Sequence, residues 1–201
     1  MTGKTHAAVG ICAAAFLLVP KVDIKTSLVG LGFVVVGSYA TDADLKVSKA
    51  GQIVSDIVFG AIALAILYLV LTIKFHYNVL GIIGGNMPSE ARGLGVCLIA
   101  GSIVLGRITG HRKYMHSFLG LFTMNVGVWL VSGNFVVWFG LGYVMHMIVD
   151  LLNEKKEALL FPLSIGDVCF SICKSNGSAN WIISSLAYVV FCIKFYQAYT
   201  L

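Results

Sequence analysis

Seven apolar runs, at residues 6–19, 27–40, 54–73, 94–108, 116–131, 135–152 and 180–199, occupy most of this chain. Helices that are apolar all round cannot present a polar face to water and are buried in lipid instead. At about 20 residues per span, seven spans use about 140 residues. The 201-residue chain then has enough left for connections only. With 58% apolar and 11% charged residues and a mean hydropathy of +0.91, disorder and an ordinary soluble domain are both excluded. The expected fold is all-α, a polytopic transmembrane helical bundle of about six to seven membrane segments forming one integral membrane domain over residues 1–201.

Only the third and seventh runs comfortably reach full span length, so the shorter ones are expected to tilt, to be extended by flanking residues or to re-enter. Pro20 ends the first run, and Gly84-Gly85-Asn86-Met87-Pro88 breaks the chain ahead of the fourth. Ser132-Gly133-Asn134 makes a tight hairpin, and Ser175-Asn176-Gly177-Ser178 precedes the last helix, residues 180–199. Asn176-Gly177-Ser178 is a formal glycosylation acceptor that reads more simply as a turn. Many of the 22 glycines fall inside apolar runs, Gly106 and Gly110 among them, which points to close helix packing.

The net charge of +5 comes from basic residues scattered between apolar runs rather than gathered in a stripe, so lipid headgroups explain it and direct nucleic-acid binding is not expected. On alternate sides of a seven-span chain, nine Lys and Arg fall with the N-terminus and five on the other side. That bias predicts a cytoplasmic N-terminus. Lys4 ahead of an apolar run resembles a signal peptide, but Ala13 to Ala15 lies inside the run, and the segment is expected to be retained. The five cysteines are odd in number and form no metal knuckle or disulfide framework.

Titratable residues are scarce, which makes their positions informative. His146 and Asp150 stand four apart on one helical face and converge on one point. His111 and His116 flank Arg112-Lys113-Tyr114-Met115, Asp42-Ala43-Asp44 follows the second run, and His6 opens the first. Each group alone has a plain explanation as a solvated helix end or a residue facing phosphates. Together, His6, Asp42, Asp44, His111, His116, His146 and Asp150 fall on one side of the seven-span arrangement, while His76 falls on the other. Imidazoles and carboxylates without thiolates suit zinc, with manganese or iron as the other fits. Seven candidates exceed one three-ligand site, and the sequence does not partition them. The chemistry expected of them is hydrolysis, with Arg112 and Lys113 placed to hold an anion.

The ordered set Gly37-Ser38, Asp42-Ala43-Asp44, His111-Arg112-Lys113-Tyr114-Met115-His116-Ser117 and Gly142-Tyr143-Val144-Met145-His146-Met147-Ile148-Val149-Asp150 resembles the YdjM-like family of bacterial inner-membrane metal-dependent hydrolases. That family shows an early Thr-His pair, matched by Thr5-His6. It also has Gly-Ser before Pro-Asp-x-Asp, an His-Arg-x-x-x-His-Ser motif, and Gly-Tyr-x-x-His-x-x-x-Asp followed by an apolar stretch with proline, here Leu160-Phe161-Pro162. The likeness covers residues 5–165 and leaves out the last span. Thr41 stands where the family has proline, and Lys113 where it commonly has glycine. What the resemblance implies is a hydrolase whose metal residues are the seven named above. The spacing is also loosely similar to zinc-dependent phospholipase C and related nucleases, which implies a phosphoester.

The function expected is therefore a membrane-bound metal-dependent hydrolase acting on a phosphoester or lipid-linked substrate near the cytoplasmic face of the inner membrane. In it Asp42 or Asp44 is the general base, Arg112 the substrate anchor, zinc or manganese the cofactor, and membrane lipids the partners. A metal or proton transporter calls for ionisable groups spread through the membrane depth, against which the one-sided cluster argues. A non-catalytic scaffold would reduce the motifs to packing devices. No P-loop, nucleotide-binding glycine fingerprint or Gly-x-Ser-x-Gly elbow is present.

Overall fold

The computed structural model describes residues 1–44, 87–163, 165, 167–174 and 177–200, with only the backbone for Asp44 and Ser89. The third apolar run, His76 and Asn176 lie outside the described residues. Six α-helices are present among those described: α1 (Gly3–Leu17), α2 (Ile24–Ala40), α3 (Ser89–Thr109), α4 (Phe118–Val131), α5 (Val136–Leu151) and α6 (Ser178–Thr200). No β-strand occurs among them, and the all-α expectation holds.

Among the described residues, five helices are long and apolar enough to cross a membrane: Gly3–Lys21, Ile24–Ala43, Glu90–Thr109, Gly133–Leu151 and Ser178–Thr200. The runs that looked short in sequence reach span length because flanking residues join them. Val19–Lys21, Thr41–Asp44 and Gly133–Phe135 continue or precede helices as 3-10 turns. Pro88 sits at the N-cap of α3, where its missing N–H costs no hydrogen bond, and the helix begins five residues before the apolar run does. Conversely α4, at 14 residues, is shorter than a full span and starts later than its run, because Ser117 caps it by accepting a hydrogen bond from the Gly120 amide at 3.1 Å.

The chain forms two compact units, Met1–Thr41 with Val137–Leu201, and Asp42–Val136. In the first, α1 packs against both α2 and α6. The α2–α5 crossing is built on glycine: a Cβ on Gly37 would lie 2.1 Å from the Phe139 carbonyl oxygen, and one on Gly142 2.1 Å from that of Val34. Gly10 of α1 faces the same crossing, its missing Cβ 2.7 Å from the Ser38 hydroxyl oxygen. Small residues here bring three backbones together, as helices in lipid require. In the second unit α3 and α4 pack through Gly95 and Gly127. Gly110, grouped with the packing glycines by its spacing, instead terminates α3 at φ +91° and ψ 164°, a conformation open to glycine.

Apolar side chains such as Ile108, Phe122 and Trp181 point outward, while Thr5, His6, Ser38, His116, His146 and Asp150 are buried. This distribution is the inverse of a soluble core: lipid takes the apolar exterior and the polar residues are gathered inside.

Candidate metal centres

Six of the seven candidate residues fall into two trios, each with two histidines and one aspartate. In the first unit these are His6, His146 and Asp150, and in the second Asp42, His111 and His116. Within each trio, one ligand atom per residue lies within 4.8 Å of the others. Asp44 is in the 3-10 turn beside Asp42, its side chain outside the description.

The first trio forms where the start of α1 meets the end of α5. The four-residue spacing of His146 and Asp150 places them together on one face of α5. His6 then stacks its ring on that of His146, with centroids 3.7 Å apart and planes 15° from parallel. Asp150 Oδ1 lies 3.2 Å from His6 Nε2, and Oδ2 lies 3.7 Å from His146 Nε2. His146 Nδ1 sits 2.5 Å from the Ser38 carbonyl oxygen. A carbonyl only accepts, so Nδ1 donates to it, which leaves Nε2 facing Asp150. Asp150 Oδ1 also accepts from Asn153 Nδ2 at 2.6 Å and from the Met1 amino group at 2.9 Å. His6, His146 and Asp150 are all at most 2% exposed.

This arrangement fits a divalent ion. A tetrahedral metal with bonds of about 2.0–2.1 Å holds its ligand atoms about 3.3 Å apart. The 3.2 Å separation to Asp150 Oδ1 matches that spacing, and the 3.7 Å one to Oδ2 is wider. The donor chemistry, imidazole nitrogens with a carboxylate oxygen, is that of zinc, manganese or non-haem iron. A hydrogen-bonded carboxylate and a histidine held through its other nitrogen are the usual supports of such ligands. His6 Nδ1 is buried with no hydrogen-bond partner among the described residues.

The second trio rests on the turn between α3 and α4. His111 and His116 meet edge to face, centroids 5.0 Å apart at 88°, and His116 Nε2 lies 4.0 Å from Asp42 Oδ1. Gly110 at φ +91° and Arg112 at φ +65° turn the chain sharply, and the strained non-glycine position falls inside the His-Arg-x-x-x-His segment. Tyr114 anchors this turn from beneath. Its ring is buried, and its hydroxyl donates to Ser102 Oγ at 3.0 Å and shares a 2.6 Å hydrogen bond with Thr123. Ser117 Oγ donates to the Tyr114 carbonyl at 2.6 Å, and Gly120 lets that carbonyl approach where a Cβ would be 2.2 Å away. Arg107 Nε donates to the Ala43 carbonyl at 3.2 Å and ties the Asp42 turn to α3. His116 is fully buried, whereas the Asp42 side chain is 23% exposed. The second trio is thus the more open of the two.

The two departures from the family pattern have different consequences. Thr41 has φ −60°, the value a proline ring imposes, so this backbone conformation is one proline would also adopt. Lys113 has a negative φ of −107°, and the left-handed residue is its neighbour Arg112. Two supports escaped the sequence reading. Asn153 is three residues beyond Asp150, a helical spacing that offered a signal, whereas the Ser38 carbonyl is a backbone group that no side-chain pattern announces.

A family model described as YdjM inner membrane protein matches residues 1–200. No curated protein and no solved structure matches the chain.

Proposed function

The chain belongs to the YdjM inner membrane protein family and is a multi-pass inner membrane protein, and from that premise we propose that it is a metal-dependent hydrolase of a phosphoester or lipid-linked substrate. The observation that carries this reading is the gathering of six of the seven polar candidates into two sets of two histidines and one aspartate. Three protein ligands leave coordination positions for water and substrate, which distinguishes a catalytic from a structural ion site.

His6, His146 and Asp150 would hold one ion, zinc or manganese, and Asp42, His111 and His116 a second. Such an ion, when bound, polarises a phosphoryl or carbonyl oxygen and lowers the pKa of water. The Ser38 carbonyl and Asn153 keep the first set in register. Asp150 already accepts two hydrogen bonds in a dry site and serves as a ligand. Asp42, the more exposed carboxylate, accepts the proton of the attacking water, with Asp44 beside it in the same turn as the other candidate base. Arg112 offers a cation for the substrate's anionic group. The Lys and Arg bias supports a site facing the cytoplasm.

The test is turnover by detergent-purified protein, loaded with zinc or manganese, on a panel of phospholipids and phosphodiesters. Asp42→Asn is expected to lower turnover by about 10²–10⁴-fold while the chain stays folded. A loaded, folded protein inactive across the panel overturns the reading.

A further inference from the structure

Between α5 and α6 the chain makes an excursion whose described residues, 152–163, 165 and 167–174, form neither helix nor sheet yet carry outward-facing apolar side chains. Ile165 and Ile172 are each 70% exposed, and Leu160, Leu163 and Phe170 accompany them. In a connection facing water such residues are unfavourable, and turn segments are ordinarily polar. The excursion leaves the end of α5 that bears Asp150, and its residue Asn153 donates directly to that carboxylate at 2.6 Å. It returns to the start of α6, where Trp181 is 76% exposed. An exposed tryptophan at the end of a membrane-spanning helix marks the headgroup level.

Irregular backbone enters an apolar environment only when its own polar groups are satisfied, and here many are. The amides of Phe170, Ser171 and Ile172 donate to the carbonyls of Leu151, Asn153 and Leu152 at 2.7–3.2 Å. Glu157 and Val168 exchange two hydrogen bonds of 3.0 Å, and Phe161 and Leu163 close tight turns onto Ala158 and Leu160. The excursion's charges balance, Lys155, Lys156 and Lys174 against Glu154, Glu157 and Asp167, so its attraction to a surface comes from its apolar side chains.

We infer that residues 152–174 form an interfacial element that inserts Leu160, Leu163, Ile165, Phe170 and Ile172 into the membrane leaflet, next to the His6, His146 and Asp150 trio. The occupant is phospholipid, because the exposed apolar face of α6 (Ile182, Leu186 and Val189) continues from the excursion's end into the bilayer. The consequence for substrate rests on the hydrolase reading: a leaflet held at the trio favours a lipid-borne phosphoester over a water-soluble one.

The experiment places a photoreactive p-benzoylphenylalanine at Leu163 or Phe170 of the full chain in its native membrane. Ile182 on α6 is the lipid-facing control and Lys155 the polar one. Irradiation followed by mass spectrometry is expected to give phospholipid adducts at Leu163 and Phe170 at a yield comparable to Ile182. Covalent dimers, adducts to another protein, or a yield no higher than at Lys155 overturn the inference. A second arm compares hydrolysis of a vesicle-borne phospholipid with that of a soluble short-chain phosphodiester. Leu163→Glu with Ile165→Glu is expected to raise the KM for the vesicle substrate several-fold and leave the soluble one unchanged, and equal effects on both overturn the substrate assignment. If neither substrate is turned over, the hydrolase reading fails while the adducts still decide the leaflet contact.

Discussion

His6 and His146 lie ring on ring, 3.7 Å apart, with the Asp150 carboxylate within 3.2 Å of one Nε2 and 3.7 Å of the other. Two imidazoles 140 residues apart in sequence are held against one carboxylate at a helix crossing that glycines make possible. Histidine stacking alone would be a packing detail. With a shared aspartate and a carbonyl holding one ring nitrogen, it is the arrangement on which the proposed metal site rests.

The division into two trios predicts independent metal loss. Elemental mass spectrometry of purified, divalent-loaded protein should find about two ions per chain, one per three-ligand set. His146→Ala and His116→Ala should each remove about one ion, and the double variant both. If either single substitution empties the chain, or neither lowers its metal content, the partition is wrong.

Asn153 is expected to act through Asp150. Its buried amide donates to the carboxylate at 2.6 Å, so Asn153→Leu removes the donor at similar volume. Metal affinity should fall about 10–100-fold, and stability by about 1–3 kcal/mol. Titration against a competing chelator measures the first quantity and thermal melting in detergent the second. An affinity within twofold of wild type would show that Asp150 needs no such support.

Glycines at crossings and glycines on open faces should behave oppositely. Gly37→Ala and Gly142→Ala drive a methyl to within 2.1 Å of a facing carbonyl oxygen, at a cost of about 1–3 kcal/mol. Gly32, with nothing within 4 Å of its missing Cβ, should tolerate alanine and gain about 0.5–1 kcal/mol from helix propensity. Melting temperatures in one detergent test the contrast, and a stable Gly142→Ala would contradict the close approach of α2 and α5.

Asp23, in the connection ahead of α2, ties acid stability to a helix cap. Its side chain accepts from the Thr26 hydroxyl at 2.6 Å and from the Thr26 and Lys25 amides at 3.0 and 2.9 Å. These bonds, the Thr26 hydroxyl foremost, hold its carboxyl below the usual carboxylate range. A depressed folded pKa means that the contribution is complete above the unfolded value and is lost as pH falls through the folded one. Asp23→Asn should therefore lower the melting temperature in the neutral region and approach wild type at acid pH, which flattens the acid limb of the profile. An unaltered acid limb would rule Asp23 out as a contributor.

Much of this was legible in one dimension. Apolar runs announce helices because lipid imposes the same requirement on every segment that crosses it, and the scarcity of charge inside them made each buried histidine and aspartate conspicuous. Helix ends were harder. Ser117 capping α4 and Gly110 terminating α3 depend on backbone geometry, and Gly110 was grouped with the packing glycines because spacing does not reveal a positive φ.

By itself the sequence determined the helical class, the membrane setting and which residues are the candidates, since composition and short-range spacing suffice for these, whereas the inner membrane follows from the family. Only the tertiary structure decided how the candidates divide. His146 with Asp150 and His111 with His116 are local pairs, but each needs a third residue distant in the chain, His6 for one and Asp42 for the other. Joining them depends on which backbones pack closely enough to meet, and that is governed by glycine contacts and by the carbonyl of Ser38, neither of which has a periodic signature.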